Sequence, residues 1–392
     1  MNDSDEKLEK KDKTPLPYGI KQFQIENFQC IKETGIRDIP IDCSWIFITG
    51  DNGDGKTSLL QAITIGLYGY SDNDTRDLLD NKHCRIRVEI REEGKSRTTR
   101  FYWKGDHWSP VKMPKNLLAY GPCRLKIKGE LDMSTERATI SPVYTLLRQE
   151  GNLRNIEHWI KERILESKND VESFPYKRVG HAKELLVKLL PNVTEIVIDG
   201  NIIGYKEKGM LVPAHHLSAG HKSILAMVGD MLIRLYEAQP DTVEPKALQG
   251  IVIIDEFEIH LHPKWQVEMT KILSETFPLV QFIATTHSIL PFLGAPTGSI
   301  FIKVIREEDG GTTVERVDID IANLLPNTLL TSPLFDFDSI ISAQNQIFGD
   351  IRTEAHYREV IENQARDERL KGYAKDGNLF PEEFFDLLKD KL

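Results

Sequence analysis

Long apolar runs are what this chain most lacks. No stretch of its 392 residues approaches the roughly 20 apolar positions that a bilayer-spanning helix needs, and no secretory leader opens it. Both absences predict a cytoplasmic protein without a membrane half, and a mean hydropathy of −0.35 agrees. Cysteine is scarce. Cys30, Cys43, Cys84 and Cys123 are the four present, and none stands in Cys-x-x-Cys spacing. A disulfide scaffold is thereby excluded, and free core thiols in a reducing compartment are expected. Basic residues are in deficit, 50 Lys and Arg against 60 Asp and Glu, for a formal charge of −10. That argues against a uniformly basic nucleic-acid binder while leaving room for a local basic track. Nuclease patterns are missing too, with no H-N-H or PD-(D/E)-x-K arrangement. Asp318 and Asp320 form an Asp-x-Asp pair, but no glycine loop bearing an upstream Glu completes a TOPRIM pattern.

Against these absences stand four short words in a fixed order: GDNGDGKTS at 50–58, LSAGHKS at 217–223, IVIIDEFE at 251–258 and TTHS at 285–288. In the first, Gly50, Gly53 and Gly55 let the backbone turn tightly and expose successive N–H groups. The run SWIFITG at 44–50 reads as a strand ending on this loop, and SLLQAITIGLYG at 58–69 as the helix whose N-terminus faces an anion. Strand, G-x-x-x-x-G-K-T and helix together predict a phosphate-binding loop built from Gly50, Asn52, Gly53, Gly55, Lys56, Thr57 and Ser58. Lys56 is expected on the β/γ-phosphates and the Thr57 hydroxyl on Mg²⁺.

The third word supplies acids. Val252, Ile253 and Ile254 belong to a continuous apolar run, as in a parallel strand buried on both faces. Asp255 and Glu256 follow at its carboxyl end, where doubly wound sheets bind ligands. Asp255 is the candidate Mg²⁺ ligand and Glu256 the candidate base for an attacking water. FIATTH at 282–287 repeats the pattern, which places His287 where it could hydrogen-bond a γ-phosphate. His260 and His262 alternate with apolar residues, yet no Cys or carboxylate cluster completes a metal site around them.

LSAGHK is similar to the signature motif of ABC-type ATPases. The chain from about 18 to 330 resembles their non-transporter branch, which includes the structural-maintenance-of-chromosomes proteins, RecF-type repair ATPases and the ATPase half of OLD-family nucleases. The resemblance implies an α/β P-loop head with a central, mostly parallel sheet, an N-terminal antiparallel β subdomain, a short helical insertion and a helical C-terminal tail. It implies ATP and Mg²⁺, and two subunits or more assembled head to tail through ATP. Ser218 and Gly220 of one subunit would then reach the γ-phosphate held by Lys56 of the other. Ser218 also suits the N-cap of a helix over 219–236. Phe28 could touch adenine or pack in the core, Arg124 could line the nucleotide or form a structural salt bridge, and Gln149 is the candidate Q-loop residue. Phe257 departs from the family pattern D-E-P-E-x-H-L-H-P, where Pro is usual.

Residues 1–17, rich in Lys, Glu and Asp, are expected to be disordered. Hairpin-like strands are expected over 19–41, 84–104 and 299–318. Amphipathic helices over 151–167 and 179–191 fill an insertion at about 140–190. A 17-residue helix spans only about 25 Å, far short of the coiled coils of chromosome-maintenance ATPases, so a short lid or a dimerisation or partner surface is expected. The charged tail 331–392 ends in NLFPEEFFDLLKDKL, where Phe384, Leu387 and Leu388 share a helix face. That stripe either packs on its own domain or binds a partner.

A compact head of this kind resembles the ATPase components of bacterial anti-phage systems of the Septu, retron and PARIS types. The resemblance implies a separate nuclease effector, HNH or TOPRIM in type. Two other functions remain open: a DNA-binding repair ATPase of the RecF type, and an assembly scaffold held together by ATP.

Overall fold

The apolar run Trp45–Thr49 is buried along its whole length and forms the third strand of a six-stranded sheet. The sheet runs Thr312–Val317, Ile300–Arg306, Trp45–Thr49, Leu279–Thr285, Gln249–Ile254, Leu117–Tyr120. All neighbouring pairs are parallel except the antiparallel edge strand Thr312–Val317. In this computed structural model the described residues are 15–71, 75–79, 83–105, 107–124, 141–148, 153–168, 170–200, 202–321 and 324–337, with 363, 365 and 366 beyond them. The chain divides into two units, Met1–Phe337 and Asp338–Leu392, and the first carries every strand and helix discussed below.

Alternation along the strands sorts the core into two layers. Trp45, Phe47, Val252 and Ile254 face one cluster, whereas Ile46, Ile48, Ile251 and Ile253 face another. On the second face lies the helix Lys56–Tyr68, capped by a five-stranded antiparallel sheet of order Ile31–Ile36, Gly19–Phe28, Cys84–Glu92, Lys95–Lys104, His107–Trp108. Helix and sheet approach closely because Gly66 has no side chain; a Cβ there would sit 2.5 Å from Ile86. The expected hairpins over 19–41, 84–104 and 299–318 are therefore present, with the last one joined to the central sheet.

The other face carries the insertion. The insertion at 140–190 is a layer of the head. Its helices Ile156–Ser167 and Phe174–Leu189 bury Ile156, Trp159, Ile160, Val179, Leu185 and Leu186 in the same cluster as Phe47. They pack with the 20-residue helix Ala219–Ala238, whose Gly229 leaves room for Ile156; a Cβ would lie 2.7 Å away. Their starts follow local capping. Asn155 accepts from the N–H groups of Glu157 and His158, and Ser173 from Tyr176 with Pro175 in the first turn, so the second helix begins earlier than 179. A three-stranded sheet, Val193–Asp199, Ile202–Glu207, Met210–Val212, follows these helices and was not expected.

Both ends of the head extend past the expected limits of 18 and 330. Leu16 is buried and donates its N–H to the Ile41 carbonyl at 2.8 Å. Ser332 and Leu334 are also buried, and Thr49 donates to the Leu334 carbonyl at 3.4 Å. Residues 1–14, Gln149 and the expected helix at 378–392 lie outside the described residues. No helix among the described residues is long and apolar enough to cross a membrane.

One buried polar network joins the layers. Asp230, fully buried on the helix Ala219–Ala238, accepts from Tyr120 Oη at 2.8 Å, Arg234 Nε at 2.7 Å and the Arg154 N–H at 2.9 Å. Burial, reinforced by the Asp230 charge, raises the Tyr120 phenol pKa well above its ordinary value. Removing Asp230 alone takes the acceptor from Tyr120 Oη and the Arg154 N–H and a carboxylate from buried Arg234, so Asp230→Ala is expected to cost about 3–5 kcal/mol in a denaturant titration. The pair Asp230→Leu with Arg234→Met is expected to recover only part of that loss, because Tyr120 Oη and the Arg154 N–H still lose their acceptor.

Candidate nucleotide site

The phosphate loop leaves the sheet at Thr49 and enters a helix at Lys56. Gly50 has φ 147°, and a Cβ there would lie 2.5 Å from the Val304 carbonyl; Gly55 has φ 101° and caps the helix in the left-handed region. Both positions require glycine. The helix start has no side-chain cap and no acid in its first turn, so its N–H groups face outward unneutralised, the arrangement that receives phosphate. Lys56 bridges the loop, donating to the carbonyls of Gly50 at 2.9 Å and Asp51 at 2.8 Å. Burial lowers its pKa, while Asp54, Asp255 and Asp51 act in the opposite sense. Asn52 and Gly53 are exposed at the loop tip.

Thr57 and Asp255, separated by 198 residues, meet directly: Thr57 Oγ1 donates to Asp255 Oδ2 at 2.7 Å. Thr285, at the end of the neighbouring strand, donates to Asp255 Oδ1 at 2.5 Å and accepts the N–H of Glu256 at 2.8 Å. The carboxylate, only 1% exposed, is thus held by one hydroxyl at each oxygen. This oxygen set of hydroxyl and carboxylate has the chemistry that Mg²⁺ takes. Glu256 itself has φ 48°, a left-handed conformation that costs a non-glycine residue energy.

Arg124 holds that turn. Its guanidinium is fully buried and donates to the carbonyls of Gly121 at 3.0 Å, Glu256 at 2.9 Å, Phe257 at 3.4 Å, and to Asp255 as well. Burial brings its pKa down to about 10, against the opposing pull of Asp255, Glu258 and Glu256. Neither expected role applies: the partners shown are backbone carbonyls of its own neighbourhood and of the strand end. Phe28 is core, 1% exposed. Phe257, in the place where Pro is usual, is buried edge-on against Trp45, with ring centroids 5.6 Å apart.

The remaining candidates sit around this group. Ser58 donates to Gln29, whose Nε2 reaches Gln61 Oε1 at 3.2 Å; Gln61 in turn donates to the Leu146 carbonyl at 3.1 Å. His287 is exposed, and its N–H donates to Glu258 Oε1 at 2.6 Å. Ser218 is exposed and caps its helix by accepting the His221 N–H at 3.2 Å. Gly220 abuts the chain after the acids, where a Cβ would lie 2.7 Å from the His260 carbonyl. Ser218 and Gly220 share no hydrogen bond with the phosphate loop among the described residues. His260 and His262 are exposed, and no group of three metal-ligating side chains occurs among the described residues. Thr285 opens the fourth word, yet only His287 in that word had an expected role. The signal for Thr285 was its place in the fourth word's strand, aligned in parallel with the acid-bearing strand.

A family model described as "AAA domain, putative AbiEii toxin, Type IV TA system" matches residues 144–292, and one described as "AAA domain" matches residues 22–174. The chain is 26% identical over 395 residues to the Septu protein PtuA of Bacillus mycoides (strain KBAB4), covering 92% of this chain and 50% of that protein. It is 31% identical over 169 residues to the "Retron Vc95 probable ATPase" of Vibrio cholerae serotype O1 biovar El Tor, covering 43% and 30%. The chain thus spans about half the length of the Septu relative and less of the retron one. A solved SMC head domain from Thermotoga maritima superposes with a TM-score of 0.45 at 16% identity, covering 76% of this chain and 99% of that one. The chain has an α/β P-loop fold and resembles the ATPase components of bacterial anti-phage systems.

The left-handed Glu256 gives a stability test free of any ligand. In a regular strand or helix Gly is less stable than Ala by about 0.5–1 kcal/mol. At position 256 the order should reverse, with Glu256→Gly more stable than Glu256→Ala by about 1 kcal/mol. Denaturant midpoints of the two variants decide it.

Proposed function

We propose that this chain binds Mg·ATP, hydrolyses it slowly, and acts in anti-phage defence by controlling a separate effector. The observation that carries the ATP reading is the 2.7 Å hydrogen bond between Thr57 and Asp255, which joins the phosphate loop to the acid-bearing strand. Thr57 and Asp255 would hold Mg²⁺, which when bound offsets charge on the terminal phosphates. Lys56 would exchange its two carbonyl partners for phosphate oxygens, and the free N–H groups at the start of its helix would complete the cradle. Glu256 would take a proton from the attacking water, its backbone fixed by Thr285 and Arg124. His287 would donate to the terminal phosphate.

Ser218 and Gly220 would serve the site of a second subunit, head to tail. The exposure of Ser218 and its place at a helix N-terminus support this part. The assembly would be a homodimer or a higher homo-oligomer. The effector would be a nuclease of HNH or TOPRIM type on another chain, met in the cytoplasm; the names of the Septu and retron relatives support the defence setting. The Asp-x-Asp pair gives no reason to place a nuclease here, since Asp318 is exposed and accepts from Arg316 at 2.8 Å.

Glu256→Gln is expected to bind ATP as the parent does while turnover falls by at least about 10²-fold, the usual scale for a positioned base. Lys56→Ala should weaken nucleotide binding itself in an equilibrium titration. Composite sites predict complementation: Ser218→Arg and Lys56→Ala proteins, each inactive, should regain turnover on mixing, because one intact site forms per heterodimer. Full activity of Ser218→Arg on its own would contradict the head-to-tail arrangement.

A further inference from the structure

The antiparallel sheet turns Ile86, Val88 and Ile90 toward the core and leaves its other face to solvent. On that outer face Arg87 lies directly opposite Arg100. Like charges paired across two strands destabilise a sheet, yet among the described residues neither guanidinium meets a carboxylate, and both are exposed. The next pair along is Arg85 and Tyr102, with the guanidinium 5.9 Å from the ring centroid. On the other side of Arg87 the outward positions are Glu89 and then Arg91.

The acids on this face are largely engaged. Glu26 accepts from Arg85 at 3.4 Å, and Glu89 accepts from Lys21 and from Gln22, each at 2.7 Å. Those contacts lower the Glu89 pKa, the Lys21 hydrogen bond most of all. Among the described residues Glu33 receives only the weak 3.5 Å contact from Gln24. The centre of the face is therefore a guanidinium pair without a salt bridge among the described residues, on a chain of net charge −10. Its neighbour Glu89 feels the Arg87 charge but is hydrogen-bonded to Lys21 and Gln22. A polyanion supplies what the pair lacks.

We propose that this face binds the backbone of single-stranded nucleic acid. Arg85 and Arg87 project as successive outward side chains about 6.7 Å apart on one strand, Arg91 lies beyond Glu89 on the same face, and Arg100 lies opposite Arg87. This is a track for an extended phosphodiester chain on a flat platform. Tyr102, half-buried beside Arg85, offers a ring against which a base can stack, the combination by which sheet platforms take single strands. A duplex presents a convex backbone that a flat face meets over fewer phosphates, and an acidic polypeptide would have no use for the ring. The surface is the sheet face opposite the one packed on the helix Lys56–Tyr68 and shares no residue with the phosphate loop, so it does not depend on the ATP reading.

The test is fluorescence anisotropy of a labelled oligothymidylate with the full chain across a salt series. Arg87→Gln with Arg100→Gln should bind at least about 10-fold more weakly. Its log affinity against log salt should flatten by about 1.4, because two phosphates are no longer neutralised and each accounts for about 0.7 of the slope. Thermal midpoints should not fall, because the change removes a repulsive pair. Lys56→Ala should keep full oligonucleotide affinity, which separates this surface from the nucleotide site. Equal affinity of the double variant and the parent would overturn the proposal. So would tighter binding by the parent of a duplex of the same length, or of polyglutamate.

Discussion

Everything near the phosphate loop depends on the carboxylate of Asp255 being held at both oxygens. Thr57 comes from the helix that follows the loop, Asp255 from one parallel strand and Thr285 from the next. Three segments distant in sequence are fixed to one another by two hydroxyl donors at a group with almost no solvent contact. Hydrogen bonds to a charged acceptor are among the stronger ones, and a buried carboxylate without them would be costly. The same carboxylate thus orders the fold locally and presents oxygen ligands at the sheet's carboxyl end.

The turn after Asp255 is the second constraint, and it is built against backbone preference. Glu256 sits at φ 48°, and the strand leaves the sheet with several carbonyls turned inward. Arg124 satisfies those carbonyls with a single planar fork, which a lysine could not do. Its buried charge is offset by Asp255, Glu258 and Glu256 nearby. Local strain is compatible with the fold when the surroundings over-determine the conformation, and here Thr285 holds the N–H of Glu256 while Arg124 holds its carbonyl.

Much of this was legible in the sequence because it is local. The glycines of the loop, the apolar run ending at Asp255 and the cap at Ser218 each announce a conformation within a few residues. What could not be read was long-range. Arg124 looked like a nucleotide or salt-bridge residue because nothing in its own segment reveals the carbonyls 131 to 133 residues away. What the insertion packs on could not be read, because an amphipathic helix does not say which surface its apolar face covers; the face packs on the helix Ala219–Ala238. The short sheet at 193–212 was missed, although its turns at Gly200 and Gly209 marked it. The basic outer face appears only when Arg87 and Arg100 are set in register.

The most direct test of the central claim is the Mg²⁺ dependence of nucleotide affinity in Asp255→Asn, measured by titration of a fluorescent ATP analogue with and without the metal. The amide can accept one threonine hydroxyl through its oxygen and donate to the other through its nitrogen, but it loses the charge that a divalent cation requires. Affinity without Mg²⁺ should equal that of the parent chain, and the gain on adding Mg²⁺ should disappear. An undiminished Mg²⁺ gain in Asp255→Asn would contradict the account.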